Sequence, residues 1–208
     1  MSGKKKGIFT PEISTKAIVV AALNSGIYYV LGTFGTLFQP IPGVSVIYPA
    51  SGYASATGIW FGFWGVLGPI IGTILSAPFW GYSIPVAIAF GVLAGMWDAL
   101  IPAIVWRVMK LDPMLRDKRS IIMYIIFGSI VNTFMDAFGG MIVSIAIGWY
   151  TPEFAFTVAI WPWFIADAVA CLTLGVLMLK LLTPYIERSG LYFEGFFALT
   201  LIEEEGEE

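Results

Sequence analysis

Long apolar runs dominate this chain, and charge returns only in short clusters between them. Four runs are easily delimited, at residues 16–35, 84–106, 120–148 and 155–182. Each can cross a hydrocarbon core, which takes about 20 helical residues. Residues 44–80 are equally apolar but are broken by Pro49, Gly52, Gly58, Gly62, Gly65, Gly68, Pro69 and Gly72. That stretch holds either one span or two short ones.

Positive charge separates the alternatives, because cytoplasmic loops collect Lys and Arg. The eleven basic residues fall into an N-terminal group up to Lys16, a loop at 107–119, and a C-terminal pair, Lys180 and Arg188. Segments 36–46, 79–84 and 149–154 contain none. Placing all three groups inside requires an even number of spans before residue 107, so residues 44–80 supply two. The pattern predicts helices near 16–35, 45–63, 64–79, 84–106, 120–148 and 155–182, with the second and third joined on the inner side near "FGFWGVLGP". The expected fold is an all-α, six-helix transmembrane bundle with both termini cytoplasmic. A five-span reading would strand Lys180 and Arg188 outside. The parts are a basic N-terminus at 1–13, the bundle at 14–185, and a cytoplasmic tail at 186–208. In that tail, aromatics such as Phe193 and Phe196 would lie along the inner membrane surface. The final "EEEGEE" would be solvated.

Composition agrees with this reading. The chain has 208 residues, 58% hydrophobic and only 12% charged, where soluble domains carry about a quarter charged residues. The basic start before an apolar run resembles a signal peptide, but no small-x-small cleavage pattern comes after it, so it reads as a retained first helix. The expected location is the plasma membrane, as a multi-pass protein.

Three acids interrupt the apolar runs: Asp98 in "GMWDALIP", Asp136 in "SIVNTFMDAFGGM" and Asp167 in "WPWFIADAVACL". An ionised Asp at mid-membrane is costly and normally faces a bundle interior or a cavity. No Lys or Arg lies within a predicted hydrocarbon segment, Lys16 and Lys180 standing at the span ends. The acids must therefore be protonated, hydrogen-bonded to neutral groups, or paired with something from outside the chain. Ser129, Asn132, Thr133 and Asp136 share one helix face by their i, i+3, i+4, i+7 spacing. That strip is either a pocket wall or an interhelical hydrogen-bond seam. Asp167 comes shortly after Trp161 and Trp163. The grouping suits a cationic or aromatic ligand, or else belt tryptophans beside one packing Asp. Asp98 shares its face with Gly91, Ala94, Gly95 and Pro102 and lies toward the inner end, which favours a structural or gating role.

No histidine is present, which removes His-based acid–base and metal chemistry, and Cys171 reads as a small packing residue. No phosphate-binding Gly-Lys-Ser/Thr loop and no Gly-Asp protease motif occur. We expect no enzyme activity, no cofactor, no bound metal and no nucleic-acid partner.

Six spans in about 200 residues resemble the substrate-binding S component of energy-coupling factor (ECF) transporters. "AIVVA", from Ala17 to Ala21, resembles the A-x-x-x-A motif of that family's first helix. "FGFWGVLGPIIGTILS" resembles its glycine-rich third helix at Gly68, Pro69 and Gly72. "FIADAVACLTLGVLMLKLL" resembles its last helix. The resemblance implies capture of a vitamin, precursor or metal ion from outside, and docking on a membrane T component driven by two ATPases. It implies that Ala17 and Ala21 face that T component. It implies a pocket in the outer halves of the last three helices, closed by the loop after the first helix, which here contains Gln39, Pro40 and Pro42. The substrate-binding candidates are thus Asn132, Asp136, Trp163, Asp167, Gln39 and Trp161. Gly68, Pro69, Gly72 and Asp98 take structural or gating roles. The absent histidines argue against a nickel or cobalt type, and buried acids without a buried base suggest a cationic or amine-bearing solute.

A second resemblance competes. "YPASGYASATGIWFG" and "WPWFIADAVACLTLG" also resemble the membrane sensor domain ahead of bacterial histidine kinases and diguanylate cyclases, although Ala166 replaces a glycine of that pattern and the chain is two spans short.

Overall fold

The computed structural model of the protein describes residues 7–199. The basic Lys4–Lys6 patch and the terminal glutamate run lie outside the described residues. Six helices succeed one another in chain order: α1 (Thr15–Gly35), α2 (Pro49–Phe61), α3 (Phe63–Trp80), α4 (Ile84–Met109), α5 (Lys118–Ala146) and α6 (Pro152–Arg188). Local chemistry sets their starts. Ser14, Asp117 and Thr151 each accept a bond from a first-turn amide of α1, α5 and α6. Pro49 and Pro152 sit in the first turns of α2 and α6, where no amide hydrogen is needed. No strand forms among the described residues; Ile41 and Val44 make one isolated bridge.

Five of these helices, all but α2, are long and apolar enough to cross a membrane, the architecture of a multi-pass membrane protein. The exception has 13 residues, or about 20 Å of rise against a hydrocarbon core of about 30 Å. Residues 50–61 of α2 are all buried, so the other helices enclose it on every side. The predicted helix at 45–63 therefore begins late. Residues 39–48 instead run as irregular chain into the bundle, and irregular backbone at such depth is tolerated only where protein or a cavity surrounds it.

The α2–α3 junction turns at Gly62, with φ 57° and ψ −130°, a region that only glycine occupies freely. A Cβ there would also strike the Phe196 carbonyl. Gly62→Ala is expected to cost about 2–4 kcal/mol of stability, read as a lowered midpoint of thermal unfolding in detergent. Close helix approach recurs elsewhere. A Cβ on Gly139 of α5 would collide with the Leu93 carbonyl of α4, and one on Gly72 would stand 2.6 Å from Cδ1 of Tyr28 in α1.

Arg107, near the C-terminal end of α4, is buried at 6% exposure. Its guanidinium donates to five carbonyls: Gly195 (2.8 Å), Gly58 (3.3 Å), Ala103 (2.8 Å), Ile59 (3.1 Å) and Phe193 (2.7 Å). Gly58 and Ile59 belong to the last turn of α2, so the cation also faces the negative end of that helix. Segment 191–199 folds against the same end. Phe193 donates its amide to Trp60, the Phe63 amide donates to Phe196, and Phe196 reaches back to Ile8. Phe193 and Phe196 are buried in the bundle rather than spread along a membrane surface, because their backbone groups complete the α2–α3 turn. Both described ends of the chain meet at this pole, and segments 36–46, 81–83 and 147–151 gather at the other.

Candidate functional site

Asp98 of α4, Asp136 of α5 and Asp167 of α6 converge at mid-bundle. One carboxylate oxygen from each lies within 4.8 Å of the others, and the three residues are 0%, 3% and 1% exposed. Each helix carries a π-helical turn ahead of its aspartate, at Gly91–Gly95, Ile126–Ile130 and Ala155–Ala159. The extra residue in such a turn rotates the remainder of the helix about its axis. Asp98 therefore stands with the other two acids rather than apart toward one end.

α2 starts beside this cluster. Ser51, in its first turn, lies against both Asp98 and Asp167. The N-terminal end of a helix carries partial positive charge, so α2 places that end on the acids while its opposite end rests on Arg107. No basic side chain of the described residues reaches the cluster: Arg107 is the buried one, and its five bonds are all to carbonyls.

Neutral partners satisfy part of the site. Trp163 Nε1 donates to Asp136 Oδ2 at 2.6 Å. Asn132 Nδ2 donates to the Asp98 carbonyl at 3.2 Å. Both carboxylate oxygens of Asp98, Asp167 Oδ2, the Ser51 hydroxyl and Asn132 Oδ1 are buried with no hydrogen-bond partner among the described residues. Trp163→Phe keeps an aromatic ring and removes the donor. It is expected to lower stability by about 1–3 kcal/mol, because a buried carboxylate oxygen loses its partner. The midpoint of thermal unfolding in detergent measures it.

A cavity lined by Asp136 and Asp167 opens toward the pole that holds residues 39–46. Its walls are aromatic. Tyr82 and Phe90 stack at 4.6 Å between centroids, Phe90 and Trp163 at 6.2 Å, and Tyr48 meets Trp80 edge-on at 6.0 Å. Tyr28 and Tyr48 share a hydrogen bond at 3.2 Å beside it. Aromatic faces above carboxylates attract cations by charge and by the ring quadrupole.

The residues singled out from sequence separate cleanly. Asp136, Trp163 and Asp167 line the cavity, with Asn132 buried behind them. Ser129 donates to the Ala168 carbonyl of α6, while Thr133 donates to the Ser129 carbonyl within its own helix, so the polar strip of α5 is seam at one end and pocket wall at the other. Trp161 faces outward at 52% exposure; two positions from Trp163, it is turned by about 200° around the helix. Gln39 does not line the cavity. Its Oε1 accepts from the Gly43 amide at 2.8 Å and shapes the loop instead. Ala17 and Ala21 are buried at 0% and 7% in a core with Trp60 and Trp64. Their small size seats α1 against its own bundle, which corrects their expected place on a partner-facing surface. Gly68 and Gly72 bring α3 against Asn24 and Tyr28 of α1, and Pro69 is buried in the same helix. Sequence reasoning did not single out Ser51, Tyr28, Tyr48, Tyr82 or Phe90. Only the "YPASG" stretch around Ser51 gave any signal.

A scan against protein-family models, a search of curated proteins and a search of solved structures each find no significant match.

Proposed function

We propose that this chain is the substrate-binding membrane subunit of an ECF-type uptake transporter, capturing a small cationic or amine-bearing micronutrient from outside the plasma membrane. The observation that carries the reading is the aromatic-walled cavity ending on Asp136 and Asp167. In this reading six helices cross or enter the membrane and both termini face the cytoplasm. Arg107 and Lys16 at the pole where the chain ends meet support that orientation. The partners are a membrane T component and two cytoplasmic ATPases, docking elsewhere than on the buried Ala17 and Ala21. The chain would carry no catalysis of its own.

A stand-alone sensor-type module is the second reading. It is favoured by the placement of Tyr48, Pro49 and Gly52, the residues of its Tyr-Pro-x-x-Gly pattern, at the start of α2 beside the site. Gentle purification from native membranes, with mass spectrometry of co-purifying proteins, separates the two. A T-type subunit with paired ATPases is the expected result. A kinase or cyclase partner would replace the transport reading with the sensor one.

A further inference from the structure

We propose that Asp98, Asp136 and Asp167, together with the Ser51 hydroxyl, form a binding site for one hard divalent cation of the Mg²⁺, Mn²⁺ or Ca²⁺ class. The site stands on local geometry and holds whether the chain serves a transporter or a sensor.

Spacing comes first. Hard divalent ions hold oxygen ligands at about 2.0–2.6 Å, so two ligands on one ion stand at most about 5 Å apart. The three carboxylate oxygens lie within 4.8 Å of one another. A gap of that size admits a single ion and leaves no room for an organic group. The donor set comes second. It is carboxylate and hydroxyl oxygen, the chemistry of hard ions, and the one nearby sulfur, Cys171 Sγ, meets the Asn132 amide instead.

The third observation is independent of the acids. Ser51 is completely buried, and its hydroxyl stands beside both Asp98 and Asp167 without a hydrogen bond of standard geometry to either. An unmet hydroxyl in a dry interior is costly, and an ion at the cluster would satisfy it together with the unmet oxygens of Asp98 and Asp167. Asp136 and Asp167 line the cavity and offer a way in; Asp98 lies behind them.

The experiment uses the full chain in detergent, stripped with chelator and desalted. Mn²⁺ binding is monitored by electron paramagnetic resonance and by metal analysis, and thermal unfolding is recorded with and without Mg²⁺, Mn²⁺ or Ca²⁺. One ion per chain and a midpoint raised by several degrees are expected. Asp98→Asn should weaken Mn²⁺ binding at least thirtyfold, while Glu153→Gln, on an exposed acid at the start of α6, changes nothing. Asp98→Asn is read on Mn²⁺ binding alone, and binding of a quaternary ammonium probe to the unaltered, metal-stripped protein is measured separately. Absence of ammonium binding with Mn²⁺ binding present would strike the proposed substrate, not this inference. Should an Asn variant fold poorly, metal-dependent stabilisation of the unaltered protein still decides. The proposal is overturned if no stoichiometric ion binds, if Asp98→Asn keeps full affinity, or if replacing all three acids by Asn raises the unfolding midpoint while metal has no effect on the unaltered protein. That last pattern would mean that protons hold the cluster.

Discussion

Replacing Arg107 with alanine is expected to cost about 3–5 kcal/mol and to release segment 191–199 from the bundle. The guanidinium satisfies five carbonyls drawn from α2, α4 and the C-terminal segment. Each acceptor left unmet in a dry interior costs on the order of 1–3 kcal/mol, although water entering the gap reduces the sum. Loss of a buried, fully bonded cation falls in the same range. Arg107→Lys should recover only part of the loss, because an ammonium has three donors and no planar fork. Thermal unfolding measures the stability change. Amide exchange at Phe193 and Phe196 measures the release, since those amides donate to Trp60 and Ile8. Unaltered protection at both positions would mean that the aromatic packing of Phe63, Phe196 and Phe197 holds the segment alone.

The double variant Asp136→Asn with Asp167→Asn is expected to lower affinity for a quaternary ammonium probe at least a hundredfold. At about 1.4 kcal/mol per decade, that is about 2.8 kcal/mol. The loss is electrostatic, because Asn keeps the size of Asp and removes its charge. The aromatic walls remain and contribute only about 1–2 kcal/mol on their own. Quenching of indole fluorescence offers a direct readout, since Trp80 and Trp163 line the cavity. Helix content should stay constant, as should the Arg107 pole. Affinity unchanged by both substitutions would remove these acids from the pocket.

The five long apolar helices were legible in the sequence because each depends on one local property, a run of apolar residues closed by a cap or a proline. The α2–α3 break was legible for the same reason, since Gly62 lies at a backbone conformation reserved for glycine. Convergence was not. Asp98, Asp136 and Asp167 lie on three helices whose faces shift at π-helical turns, so a constant period of 3.6 residues misplaces every side chain beyond such a turn. Trp161 and Trp163 look alike as letters, and only helix rotation sends one outward and the other to Asp136. Arg107 looked like a loop cation at a membrane edge, because its acceptors are backbone carbonyls and carry no sequence signature. Ala17 and Ala21 show the reverse case. Small residues announce a close contact without saying whose helix makes it.

The irregular segment 39–48 has a kinetic consequence. It is held by the Tyr150 hydroxyl on the Pro42 carbonyl, by the Gln39 bond to Gly43, and by Val46 on Phe38, and Gly43 and Ser45 form part of the cavity wall. Those few bonds can open without unwinding any long helix. The residence time of a bound solute would then track the opening rate of this segment rather than the strength of contacts at the carboxylates. Weakening the Tyr150 latch would speed entry and exit together and leave the equilibrium constant nearly unchanged.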